Sequence, residues 1–251
     1  MKRLSANLKA ACSGYIDALY KYLSEQYGKT VKPAGNLFDG FQNPDFCVTI
    51  SGLVKEVATS VSKISKDLRL MSSGSRADWM EINLPALSPG SFIMPGKINP
   101  TVPEMVIQIA HQVVGNDVAI AMAYDEGELD LNVWDATFYK CLFESMQLVA
   151  EELVILRRDC VDGITANKQR CAEEANGSIA LSTVVATFSY PDGVRVAHYC
   201  EQHGVTVVKA VVEMGLMTEE EAKEMIDPML MTEPGEMAEA IKAFKAKKAA
   251  K

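Results

Sequence analysis

The sequence predicts an all-α protein, a long-helix bundle followed by a small C-terminal helical domain. Three observations carry that prediction. Apolar residues recur three and four positions apart through three long segments. A stretch rich in glycine and proline separates the first of these from the second. Beyond Gly163 the helical segments become short and are punctuated by turn residues.

In chain order, the first stripe is Ile50, Leu53, Val54, Val57, Val61, Ile64 and Leu68, the pattern of an amphipathic helix that packs lengthwise on others. The next segment holds Ser72, Ser73, Gly74, Pro85, Pro89, Gly90, Pro95, Gly96 and Pro100, which together forbid a continuous helix. A long irregular connection in a helical chain is usually functional or disordered, and Ile82, Leu84, Leu87, Phe92, Ile93 and Met94 favour an ordered one. The second stripe, Val102, Met105, Val106, Ile109, Ala110, Val113 and Val114, is predicted to run on past Gly115 toward Met122. The third, Trp134, Phe138, Cys141, Leu142, Val149, Leu153 and Leu156, stops at Gly163, as helices commonly do at glycine. Near-heptad spacing in such helices predicts shallow crossing angles.

Breaks are expected at Asn176-Gly177, Pro191-Asp192-Gly193, Gly204, Gly215 and Pro228, and a capping box at Thr218 to Glu221. The expected domains are a partial bundle over 1–160 carrying the loop 90–100, a small helical domain over 161–241, and a frayed lysine-rich tail over 242–251.

With 251 residues, 48% of them apolar and 23% charged, the chain can bury a sizeable core. Its formal charge of −8 argues against a nucleic-acid partner, which needs concentrated cationic surface. The opening residues are too polar for a secretory signal, and no uninterrupted apolar run reaches the ~18 residues of a membrane span. The six cysteines form no Cys-x-x-Cys pair and are read as reduced, packed thiols of a cytoplasmic protein. Three histidines are too few for a histidine-rich metal site, so no metal ligands are assigned. His111 beside its apolar stripe is expected to be partly buried and structural, and Asp125, Glu126, Glu128 and Asp130 to form a solvated turn.

The chemistry concentrates in Gly90-Ser91-Phe92-Ile93-Met94-Pro95-Gly96-Lys97-Ile98-Asn99-Pro100. This stretch resembles the signature loop of the aspartase/fumarase superfamily, Gly-Ser-Ser-x-Met-Pro-x-Lys-x-Asn, departing from it only where Phe92 replaces the second serine. Asn36 to Asp39, Ser62 to Leu70, Ser72 to Gly74, Glu81 to Pro85, Gly115 to Asp117, Leu131-Asn132 and Gly163 to Asn167 extend the similarity over roughly residues 15–225.

The resemblance implies a lyase acting on a small dicarboxylate. Eliminating ammonia or water from such a substrate requires removal of a weakly acidic proton beside a carboxylate, which creates a dianionic aci-carboxylate. A base and a fixed cluster of donors are then needed. By resemblance Ser91 is that base, acting as an alkoxide, Lys97 and Asn99 hold a substrate carboxylate, and Gly90 and Gly96 let the loop backbone approach and flex. Glu104 matches the superfamily glutamate that orients a histidine from a neighbouring subunit; Thr101 to Glu104 also reads as a capping box, and both roles stand. Phe92 offers no hydroxyl to the substrate.

The same resemblance implies longer full-length chains, a tetramer, and further carboxylate-binding segments supplied by an N-terminal half. On this basis the chain is expected to be one component of an aspartate-to-fumarate lyase, probed against fumarate hydration, an oligomerising scaffold and an anion-binding module as alternatives. No organic cofactor is implied.

Overall fold

The computed structural model describes residues 14–74, 78–87, 94 and 96–249. Among these are eleven α-helices and one pair of two-residue strands, so the predicted all-α class holds. The chain divides into two compact units, one formed by residues 1–67 and 101–160, the other by 68–100 and 161–251. Of the loop, the described residues Met94 and Gly96 to Pro100 are grouped with the C-terminal part.

The first unit contains α1 (Tyr15–Tyr27), α2 (Leu37–Gln42), most of α3 (Asp45–Met71), α4 (Thr101–Asp125) and α5 (Asp135–Asp159). The Asn36 side chain starts α2 by accepting from Phe38 N at 3.1 Å. Two apolar clusters place the three long helices in register. One holds Cys47 with Ile120, Ala123, Phe138, Cys141 and Leu142; the other holds Ala58 with Ala110, Val113 and Val149. From one cluster to the next, α3 and α5 ascend in number while α4 descends, so α4 is antiparallel to both. Full burial of side chains such as Val106, Val113 and Ile120 stabilises the unit by roughly 1.5–3 kcal/mol each.

Between the two clusters lies a polar layer. Asn116 Nδ2 donates to Ser145 Oγ at 3.0 Å and Glu144 Oε2 at 2.9 Å, tying α4 to α5. The next residue, Asp117, accepts from Ser51 Oγ at 2.7 Å and pairs with Lys55, tying α4 to α3. A one-turn slip of any helix would strand these groups, so the layer fixes register. By length and apolarity α4 would also suffice to cross a membrane, a property it shares with many core helices. Gln108, Gln112, Asn116 and Asp117 interrupt its apolar run.

Two sequence expectations need correction here. The buried face of α3 is Cys47, Ser51, Ala58, Ser62 and Ser65, while Ile50, Leu53, Val57 and Ile64 of the predicted stripe are exposed. Small side chains permit close helix approach, so this unit uses the small face and leaves the large apolar one outward. His111, expected to be partly buried, is exposed on α4.

Asp125, Glu126, Glu128 and Asp130 are exposed, as expected of a solvated turn, and the turn is held by Asn132. Asn132 donates its side-chain amide to the carbonyls of Ala123 and Tyr124 at 3.0 and 3.2 Å, and its Oδ1 accepts from Trp134 N at 2.9 Å.

The second unit contains β1 (Ile82–Asn83), β2 (Thr165–Ala166), α6 (Lys168–Gly177), α7 (Ser182–Ala186), α8 (Tyr190–His203), α9 (Val207–Glu213), α10 (Glu219–Met225) and α11 (Pro234–Ala249). Val184, Val185, Val196, Val207, Val211 and Met225 lie in its core. Pro191 and Gly193 lie inside α8, not at a break: proline is tolerated in a first turn, and Ser189 caps the helix by accepting from Asp192 N at 3.4 Å. A Cβ on Gly193 would come within 2.9 Å of the Ala186 backbone, so only glycine allows α7 and α8 to meet this closely. The capping box at Thr218 and Glu221 forms as expected.

The lysine-rich stretch from 242, expected as a frayed tail, is helical through Ala249. Phe244 is buried against Phe188, and Lys245 and Lys248 donate to the carbonyls of Thr187 and Leu216 at 3.1 and 2.6 Å. One buried aromatic and two lysines capping free carbonyls are enough to hold this last helix in place.

Candidate active site

Gly90, Ser91 and Phe92 lie outside the described residues. Of the loop, Met94, Gly96 and the stretch Lys97 to Pro100 are described. A turn closes where Lys97 N donates to Met94 O at 3.1 Å, with Gly96 at φ 81°, a left-handed conformation that side chains resist. Lys97 is exposed and has no ion-pair partner among the described residues, and Asn99 is half-buried two positions on. One short segment thus carries an ammonium and an amide, both groups that can donate hydrogen bonds.

The limb leading toward the loop is anchored within the second unit. Ile82 and Asn83 pair antiparallel with Ala166 and Thr165. The Asn83 amide donates to Asn167 Oδ1 at 2.7 Å, and the Asn167 amide donates to Met80 O at 2.7 Å. Arg170 reaches back to the carbonyls of Trp79 and Asp78 at 3.0 and 3.2 Å. Gly163 packs so closely on Pro85 that a Cβ would stand 2.6 Å from the ring. The Gly163 to Asn167 stretch matched in sequence is therefore the partner of the Glu81 to Pro85 stretch, a pairing that spacing alone does not reveal.

In the first unit, Glu104 stands in the opening turn of α4 and lines a groove of about 470 Å3 with Thr101, Met105, Gln108, Gln112 and Leu148. Gln108 Nε2 donates to Glu104 O at 3.2 Å and Gln112 Nε2 to Asn116 Oδ1 at 3.1 Å. Sequence reasoning missed these two glutamines, although their spacing from Glu104, four and eight residues, places all three on one helix face. Lys97 and Asn99 thus belong to one unit and Glu104 to the other.

His198 and His203 lie exposed on α8, His203 stacked on Tyr199. Among the described residues no group of three or more histidine, cysteine, aspartate or glutamate side chains is placed to hold a metal.

A lyase family model matches residues 6–115, the span that ends just beyond Glu104. The aspartate ammonia-lyase of Pseudomonas fluorescens is 40% identical over 208 residues, covering 82% of this chain and 44% of that protein. Among solved structures, a fumarate lyase:delta crystallin from Brucella melitensis is 37% identical with a TM-score of 0.80, over 88% of this chain and 48% of the other. A class II fumarase from Schistosoma mansoni is 27% identical with a TM-score of 0.81, over 89% and 50%. The chain spans about half the length of the relatives it matches. Sequence, fold and signature loop coincide on one family, and the chain belongs to the aspartase/fumarase superfamily of lyases, of which it represents part of a member.

Proposed function

We propose that this chain forms part of a lyase that reversibly eliminates ammonia from L-aspartate to give fumarate, and that it works with a separate N-terminal half in a tetrameric assembly in the cytoplasm. The observation that carries this reading is the similarity to aspartate ammonia-lyases at 36–40% identity across 82–98% of the chain. Lys97 and Asn99, presented without competing salt bridges, supply the donors such a reaction needs.

In this reading the Ser91 alkoxide removes a proton from the carbon beside the substrate's β-carboxylate. The electron pair moves into that carboxylate, giving the aci-carboxylate dianion, and Lys97 and Asn99 stabilise the charge where it develops. Return of the pair forms the carbon–carbon double bond and expels ammonia. Ser91 needs cationic surroundings to act as an alkoxide, and Lys97 is the nearest cation in sequence. Glu104, open to the groove on α4, would orient a histidine brought by a neighbouring subunit.

The outward apolar face of α3 supports a missing partner. Leu53, Val57 and Ile64 are 58%, 44% and 52% exposed on one side of a helix whose other side is already packed. Free thiols at the described cysteines fit a reducing compartment.

The test follows fumarate by ultraviolet absorbance with aspartate or malate as substrate, for the chain alone and with an N-terminal half added, and with Ser91→Ala as control. Activity on aspartate that appears only in the pair and vanishes in the variant supports the proposal. Turnover of malate instead would move the assignment to fumarate hydration, the alternative reading. A stable complex with no activity would leave a scaffold or an anion-binding module, the outcome to which Phe92 would then be relevant.

A further inference from the structure

Among the described residues, the buried side-chain polar atoms without a hydrogen-bond partner are Ser65 Oγ and both carboxyl oxygens of Glu152. Glu152 lies in the interior stretch of α5 and is 0% exposed, with Val149 and Leu156 buried a turn to either side. The register of the long helices places it one level beyond the cluster of Ala58, Ala110, Val113 and Val149. At that level the buried residues are Ser62 and Ser65 on α3 and Pro103 and Val106 on α4. Among the described helices of this unit, α1 and α2 contribute no buried side chain, whereas α3 and α4 share the core with α5.

Among the described residues no cation is paired with this carboxyl. On α3, Lys63 pairs with Asp67 and Lys66 is exposed; on α4, Glu104 lines the groove; on α5, Glu151 accepts from Gln147 at 2.9 Å and Arg157 is exposed. An ionised carboxylate without partner in such a layer is far more costly than its neutral acid, which differs little from a buried amide. Burial accordingly pushes the Glu152 carboxyl up from 4.5 to about 7.

We propose that Glu152 is an internal proton-binding site that makes the packing of α3, α4 and α5 depend on pH. When protonated it completes the layer; when ionised it forces that end of the three helices to admit water or separate. Leu148, one turn earlier on α5, lines the groove that Glu104 shares, so the switch stands beside a candidate site residue without belonging to it.

Between the carboxyl's unfolded and folded titration points the folded unit holds more protons than the unfolded chain, so stability falls as pH rises through that window and levels off above it. The span from 4.5 to about 7 corresponds to roughly two to three orders of magnitude in the unfolding equilibrium constant.

The experiment is urea unfolding of the 251-residue chain at pH 5 and pH 8, with Glu152→Gln and Glu152→Leu alongside, plus infrared titration of the protonated-acid carbonyl band. The expected result is a gap between the unmodified chain and Glu152→Gln that is small at pH 5 and widens about a hundredfold or more in equilibrium constant by pH 8. A carbonyl band persisting at pH 6 and fading near neutrality, absent in Glu152→Gln, accompanies it. Parallel pH profiles for the two proteins overturn the proposal. If neither variant folds, the infrared titration of the unmodified chain decides, and absence of the acid band at pH 6 overturns it.

Discussion

Asn167 bonds to the limb that precedes the signature loop through three groups: its backbone N–H donates to Glu81 O at 2.8 Å, its side-chain amide donates to Met80 O at 2.7 Å, and its Oδ1 accepts from Asn83. Replacing it by alanine removes the side-chain donor to Met80 O and the shorter of the two acceptors of the Asn83 amide, and Asn167→Ala is expected to destabilise the second unit by about 1–3 kcal/mol in chemical denaturation. Asn167→Asp keeps the acceptor and loses the donor, so it should fall between wild type and alanine. Lys97 is exposed and has no side-chain partner among the described residues, so its loss is expected to leave stability unchanged. In the complemented enzyme, Lys97→Met is expected to lower kcat/KM by about 10^2 to 10^3, the range for removing one donor from a developing oxyanion. A change in unfolding free energy as large as that of Asn167→Ala would show that Lys97 is structural. Both asparagines stood in stretches matched in sequence, yet their pairing across more than eighty positions is a tertiary fact that no local pattern encodes.

At the scale of single elements, the three long helices were legible because apolar spacing survives any choice of partner, whereas the face that each helix buries was legible only in part. Val102, Val106, Ala110 and Val113 of α4 pack inward as the pattern predicts, because that helix is apolar on nearly every side. On α3 the pattern pointed to Leu53 and Ile64, and the unit buries Ser51, Ala58 and Ser62 instead. A stripe records that a face needs covering and says nothing of whether the cover lies in the same chain. This distinction is measurable. Ala58→Leu inserts volume at a fully buried position in the shared core and is expected to destabilise the chain by about 1–3 kcal/mol, while Leu53→Ser, on the larger but outward face, should change it by less than about 0.5 kcal/mol. Thermal unfolding of both variants checks the ordering, and a larger loss from Leu53→Ser would put the predicted stripe back in the core.

For the whole molecule, the outward face of α3 is joined by others in the same unit. Val118 and Met122 on α4, and Phe143 and Val154 on α5, are each more than half exposed. Scattered apolar side chains are ordinary on a protein surface, but rows of them on three helices that already share a core are what the proposed N-terminal half would cover. The chain by itself is therefore expected to bind a dye that fluoresces on apolar surface and to self-associate as concentration rises. Adding an N-terminal half should suppress both, since covering these rows removes the surface that dye and like chains compete for. Leu53→Ser and Val118→Ser then become diagnostic: silent toward the chain's own unfolding, they should weaken its association with the other half by at least about tenfold, read by titration calorimetry. If the added half binds with undiminished affinity to both variants, these rows are not where it docks, and lyase activity in the pair would have to be assembled through another surface.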